Sequence, residues 1–348
     1  MARCLVLVTV FAGGASAMST VALKPLDVAS RSNAALALRA AREAPDSPSG
    51  LVWLEHVNIV VGDRGDAERF YFEEGLGCSR DPGKPGGPGT KGTMWANLGA
   101  QQFHLAEEAD DDPRQAVRGA IGLALPDCAA AAQRLEVLER AGVCGPLEVH
   151  GADRFTVRCP SGNVFHCYDM SYEGDDVVDA TKPKGPKMVS LHDRDGYGAR
   201  GGPVAVRGRP GIRYVHFLVA DAEAAGAAYC AEFGGVATTQ GETCAVQAGL
   251  GPVHLLFETA PPDPQADARQ DGVHLCVYVD NFSKRYESLK PHCFTNPRFK
   301  HLDTCDTLDE ARASRTFRFA FPEVPNLEHE TRDLTHVQFL KQIHYEPH

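Results

Sequence analysis

His56-Val-Asn-Ile-Val-Val-Gly-Asp63 is an apolar run of strand length that stops on an aspartate, and three more like it follow. They are Ala120-Ile-Gly-Leu-Ala-Leu-Pro-Asp127, Tyr214-Val-His-Phe-Leu-Val-Ala-Asp221 and His274-Leu-Cys-Val-Tyr-Val-Asp280. A helix-like stretch comes after each, over Ala67–Glu74, Cys128–Ala141, Ala222–Phe233 and Phe282–Lys290. The closing aspartate suits a helix N-cap, because its carboxylate accepts the free amide hydrogens of the first turn. Three short strands are predicted behind each helix. The last of them is legible in every copy: Gln101–Ala106, Asn163–Tyr168, Pro252–Glu258 and Asn326–Thr331.

A repeat with this order is a βαβββ module. One module alone leaves a half-open curved sheet, and two side by side complete a cup with a shared concave face. The predicted fold class is therefore α+β, with four βαβββ modules forming two paired domains of cupped mixed sheet and outer helices. The expected division is a leader and linker over 1–50, a first two-module unit over 52–173, a linker over 174–210, a second two-module unit over 211–340 and a tail over 341–348. The 174–210 linker is rich in Gly, Pro, Lys and Asp and lacks apolar periodicity.

In the leader, Arg3 precedes the apolar run Cys4–Phe11, and Ala15-Ser16-Ala17 reads as a cleavage site. That run is too short to span a bilayer as a helix. The next stretch, to about Arg42, is rich in Ala, Ser and Arg and poor in acid. Secretion and a two-part plastid-targeting leader are both open readings. The net charge of −11 disfavours nucleic acid and anionic membrane surfaces as partners. The expected partner is a small molecule, and a homo-oligomer is open because modules can pair across chains. Eleven cysteines show no C-x-x-C pattern, and several, such as Cys167, Cys230 and Cys276, sit in apolar runs as buried thiols would.

Trp53–Asp63, Met94–Glu107 and Arg118–Asp127 resemble the first half of a two-module vicinal oxygen chelate domain. Asp271–Phe282 and Leu327–His336 resemble parts of a second one. The superfamily includes ring-cleaving dioxygenases, glyoxalase-type isomerases and lyases, epimerases, resistance proteins and non-catalytic binders, so the resemblance speaks to fold before function. It implies a divalent metal on the concave face, with ligands from the start of each first strand and from each last strand.

Applied to this chain, the first unit offers His56, His104 and His166, with Ala120 at the fourth position. The second offers His254, His274 and Glu328, with Tyr214 at the fourth position and His216 two residues on. Glu330 rivals Glu328 because it shares strand parity, whereas His329 points the other way. Two imidazoles and a carboxylate favour Fe(II) or Mn(II), and Zn or Ni would also suit. Tyr278 or His216 is the expected acid–base group. Outside the cups, Gly83–Gly89 reads as a hairpin lid, Asp110–Asp112 as a solvated loop, and Arg332 and His336 as loop residues past the last strand. The readings carried forward are a metal-dependent dioxygenase of the ring-cleaving type, a glyoxalase-type isomerase or lyase, and a non-catalytic binder of a small molecule or metal.

Overall fold

In module one, β1 (Leu51–Val61) leads into α1 (Arg64–Tyr71), then β2 (Ser79–Arg80), β3 (Met94–Leu98) and β4 (Gln101–Glu107). Module two holds β5 (Gly119–Leu125), α2 (Cys128–Arg140), β6 (Leu147–Gly151), β7 (Arg154–Arg158) and β8 (Val164–Asp169). Module three holds β9 (Gly211–Val219), α3 (Ala222–Phe233), β10 (Ala237–Gln240), β11 (Thr243–Gln247) and β12 (His254–Thr259). A short helix, α4 (Pro264–Gln270), leads to module four: β13 (Val273–Val279), α5 (Phe282–Leu289), α6 (Leu308–Ser314), β14 (Thr316–Phe319) and β15 (Leu327–Asp333). This computed structural model describes residues 50–81, 92–99, 101–107, 109, 113–170, 210–235, 237–248 and 253–333. The leader up to 49, the Gly83–Gly89 hairpin, Asp110–Asp112, the linker apart from Pro210, His336 and the tail lie outside the described residues.

Three of the four closing aspartates cap their helices. Asp63, Asp127 and Asp221 accept from the amides of Asp66, Ala130 and Ala224 at 2.8, 2.8 and 2.9 Å. The fourth does not. Asp280 pairs instead with Arg285 at 2.8 Å, and the N-cap of α5 is Asn281 in the left-handed region, φ 48°. Module four also departs from the three-strand expectation. Its first strand after the helix is reduced to a single bridge, Cys293 to Phe319, and α6 is inserted before β14.

The strands form two mixed sheets, β14-β15-β13-β1-β4-β3-β2 and β10-β11-β12-β9-β5-β8-β7-β6. Each joins two modules through an antiparallel central pair, β1 with β13 and β5 with β9. Modules one and four therefore share one cup, and modules two and three share the other. This corrects the expected grouping into 52–173 and 211–340, which paired modules by adjacency in sequence.

Side-chain size across the central strands accounts for the pairing. On the concave side β5 carries only Ala120, Gly122 and Ala124, which leaves room for the bulky Tyr214 and His216 of β9. Between β1 and β13, Trp53 instead stacks on Tyr278 with ring centroids 5.3 Å apart. Neighbours in sequence still meet, but through the convex, helix-covered side. Phe70 and Phe103 of module one lie 5.8 Å from Phe165 of module two, and Tyr229 of module three shares a 2.5 Å hydrogen bond with His329 of module four. One continuous apolar core results.

Gly122 is the tightest point of the second cup. A Cβ there would lie 2.2 Å from the Tyr214 ring. Gly122→Val is expected to destabilise the fold by about 1–3 kcal/mol through overpacking. A thermal melt checks this, and in a Tyr214→Ala background the added cost of Gly122→Val should largely vanish. All ten cysteines from Cys78 onward are unpaired thiols. Among the described residues, no helix is long and apolar enough to cross a membrane.

Candidate metal centre

Strand alternation sorts the residues of β1. Val57, Ile59 and Val61 enter the core, so His56 and Asn58 face the cup. The pattern breaks one step earlier, because Leu54 pairs with Val277 and His56 with Cys276, leaving Glu55 without an opposite number. This is a β-bulge, in which two residues oppose one and the strand re-aims its side chains. It keeps Leu54 in the core and turns Glu55, whose parity is that of the core, toward His56 and Cys276.

Facing the same cup are Gln102 and His104 on β4, His274 and Cys276 on β13, Arg318 on β14, and Glu328, Glu330 and Arg332 on β15. Nearly all are buried. One donor atom from each of His56, His274 and Glu330 lies within 4.8 Å of the others. His274 Nε2 is 3.6 Å from Glu330 Oε2. Both ring nitrogens of His56 are buried and make no hydrogen bond.

His104 stacks on His56 with centroids 3.6 Å apart, and Trp95 stacks on His104 at 4.0 Å. The His104 Nε2 is engaged by Gln102 Oε1 at 3.0 Å, and the Gln102 amide donates to Asp81 and Asn97 at 2.8 and 2.7 Å. His104 thus buttresses the His56 ring, fixed by a chain of side-chain amides.

The electrostatics match a ligand set. Burial lowers the pKa of His56 to about 3 and holds those of His104 and His274 well below the ordinary value, so all three rings are neutral. Burial alone would raise Glu330, but the Arg332 and Arg318 guanidiniums outweigh it and keep the carboxyl well below its usual range. Arg332 bonds Glu330 Oε1 at 2.6 Å, and Arg318 reaches Oε2 at 3.0 Å. Neutral imidazoles and an ionised carboxylate are the protonation states that metal binding requires.

The predicted ligand sets are split and recombined by the pairing of modules. His56 and His104 join His274 in the seven-stranded sheet, while His166, His254 and His216 lie in the eight-stranded one. His216 therefore cannot serve His274 as an acid–base partner. It faces Glu258 instead, Nε2 to Oε2 at 3.2 Å. Tyr278 shares the cup with His274, but four strand residues, about 13 Å, separate them, so it lines the cup with Trp53 away from the trio.

Glu328 is displaced by Glu330 for a reason of register. His274 pairs with Glu328 and Cys276 with Glu330, and the first-strand histidine meets the last-strand residue one step along the diagonal. The same diagonal relates His56 to His104, which pairs with Asn58. Glu328 is instead held by Arg318 at 2.6 Å and by the Asn296 amide at 2.5 Å.

On the same diagonal the second cup presents Ala120, His166, Tyr214 and Leu256. Tyr214 bonds His166 Nδ1 at 2.7 Å and Tyr168 at 3.1 Å. That cup holds no comparable trio of metal donors among the described residues.

Sequence reading missed Glu55, Cys276, Arg318 and Arg332 as members of the site. The available signal was Glu55 itself, a charged residue at core parity in an apolar strand, which a bulge resolves.

The four modules, joined in pairs into two mixed sheets, have the architecture that the vicinal oxygen chelate resemblance implies. No protein-family model matches the sequence, and no curated protein does. Solved structures do match. A candidate dioxygenase from Bacillus subtilis is 12% identical over 86% of this chain and 92% of its own, with a TM-score of 0.47. Glyoxalase I from Zea mays is 13% identical over 85% of this chain and 96% of its own, with a TM-score of 0.43. The cppA protein from Streptococcus pneumoniae is 10% identical over 82% of this chain and all of its own, with a TM-score of 0.44.

Proposed function

We propose that the chain is a metal-dependent enzyme of the ring-cleaving dioxygenase type, with one active cup, between modules one and four. The observation that carries this reading is the convergence of His56, His274 and Glu330 on one point, with both His56 nitrogens buried and unbonded. These three residues would hold the ion. Two imidazoles and one carboxylate suit Fe(II) or Mn(II) and leave coordination positions for a chelating substrate and for O₂. When bound, such an ion supplies Lewis-acid polarisation of vicinal oxygens and the redox chemistry that O₂ requires.

The chain's own residues supply the rest. Gln102 and the His104 ring fix the plane of His56, so the ligand is oriented before binding. Arg318 and Arg332 keep Glu330 ionised. The depth of the site excludes water from the reacting atoms.

The test is oxygen consumption by the full chain, loaded anaerobically with Fe(II) or Mn(II), on a panel of small catechols. We expect metal-dependent uptake that His56→Ala and His274→Ala each reduce more than about 100-fold, together with metal content. Metal content unchanged in both variants would overturn the site. Tight metal binding without oxygen uptake, but with isomerisation of a hemithioacetal, would replace the dioxygenase reading by the glyoxalase-type one.

A further inference from the structure

Beside the trio lie two further donors, Glu55 and Cys276, that the proposed reaction does not use. Glu55, placed by the bulge, is fully buried. Its Oε2 accepts from the Cys276 thiol at 3.2 Å and lies 3.5 Å from His56 Nδ1, while Oε1 has no hydrogen-bond partner. One donor atom from each of Glu55, His56 and Cys276 lies within 4.8 Å of the others. Arg332 Nε stands 3.8 Å from Glu55 Oε2, but Oε1 and the His56 ring keep no hydrogen-bond partner, a costly arrangement that a cation between them would relieve.

We propose that Glu55, His56 and Cys276 form a second cation site, which takes a thiophilic divalent ion such as Zn²⁺. Carboxylate, imidazole and thiolate are the three zinc donors, and sulfur discriminates against Mn²⁺ and Mg²⁺. His56 serves both trios because it has two ring nitrogens, neither committed to a hydrogen bond. On binding, the Cys276 S–H bond breaks, sulfur keeps the electron pair and donates it to the ion, and the proton leaves to solvent. No electron is transferred. The divalent charge, with Arg332 at 3.8 Å from Glu55 Oε2, balances the Glu55 carboxylate and the new thiolate.

The proposal shares only His56 with the reading above, so the two can fail separately. The full chain, stripped of metal, is titrated with Co²⁺ while bound metal and the near-ultraviolet thiolate-to-cobalt charge-transfer band are followed. We expect about two ions per chain, one of them giving that band. Cys276→Ser and Glu55→Gln should each remove the band and about one equivalent, whereas His274→Ala should keep the band and lose the other equivalent. Cadmium NMR of the unsubstituted chain gives an independent readout, with one sulfur-ligated resonance expected. A wild-type chain that binds cobalt with no thiolate band and shows no sulfur-ligated cadmium would overturn the second site. Loss of neither equivalent in His274→Ala, with the band intact, would overturn the first alone.

Discussion

Glu330→Gln is expected to abolish metal binding at the trio and to lower stability, while Glu328→Gln leaves metal binding in place. The two glutamates sit two residues apart on one face of β15, yet their surroundings differ. Glu330 Oε2 is 3.6 Å from His274 Nε2, whereas Glu328 spends its oxygens on Arg318 and Asn296. Loss of a direct ligand should weaken affinity by at least the roughly 100-fold seen at the top of the range for supporting residues. Stability falls because Arg332 bonds Glu330 at 2.6 Å in a buried setting. Breaking a buried ion pair by removing one partner costs about 3–5 kcal/mol, and the amide, still a hydrogen-bond acceptor, places this case near the lower bound. In a chain of this size that corresponds to a melting point lower by about 4–6 °C. Calorimetric titration with Mn²⁺ and a metal-free melt read the two effects independently. If Glu328→Gln lost the metal and Glu330→Gln kept it, the diagonal geometry of the site would be wrong.

That contrast also marks how far the sequence could be read. Parity along a strand follows from a period of two, so His56, His104, His274 and both glutamates could be placed on concave faces from sequence. Parity cannot separate Glu328 from Glu330. That choice depends on which residue of β15 pairs with which residue of β13, a parallel register set by contacts far apart in sequence. The module repeats were legible because each run ends on an aspartate, and three of the four do cap helices. The pairing of modules was not. It rests on small residues of β5 accepting Tyr214 of β9, a fit visible only once the strands lie side by side. The grouping of His56 with His274 follows from that pairing, and no spacing rule within one module could have supplied it. Glu55 is the intermediate case. Its charge at core parity signals a bulge, but the partners it is turned toward belong to another module.

Arg318→Met is expected to act in opposite directions on the metal-free and the metal-loaded protein. Arg318 is buried and bonds three carboxylates: Asp303 at 3.0 and 3.1 Å, Glu328 at 2.6 Å and Glu330 at 3.0 Å. Without its guanidinium, those negative charges face one another with only Arg332 close to Glu330. A destabilisation of about 3–5 kcal/mol is expected without metal, at the upper end because several pairs break together. In the trio, however, Arg318 competes with a cation for Glu330 and repels it. Removing one buried positive charge beside a divalent ion should tighten binding by about 1.4–2.8 kcal/mol, roughly 10- to 100-fold. The bound ion then supplies the positive charge that the arginine gave. Melting curves with and without saturating Mn²⁺ should therefore show a larger metal-induced rise for Arg318→Met than for the wild-type chain, as linkage requires of a ligand that binds only the folded state. A purely structural role for this ion-pair cluster predicts the opposite, a variant that loses stability and gains nothing from metal. The sign of that one difference separates an arginine that holds the sheet together from one that also tunes a cation site.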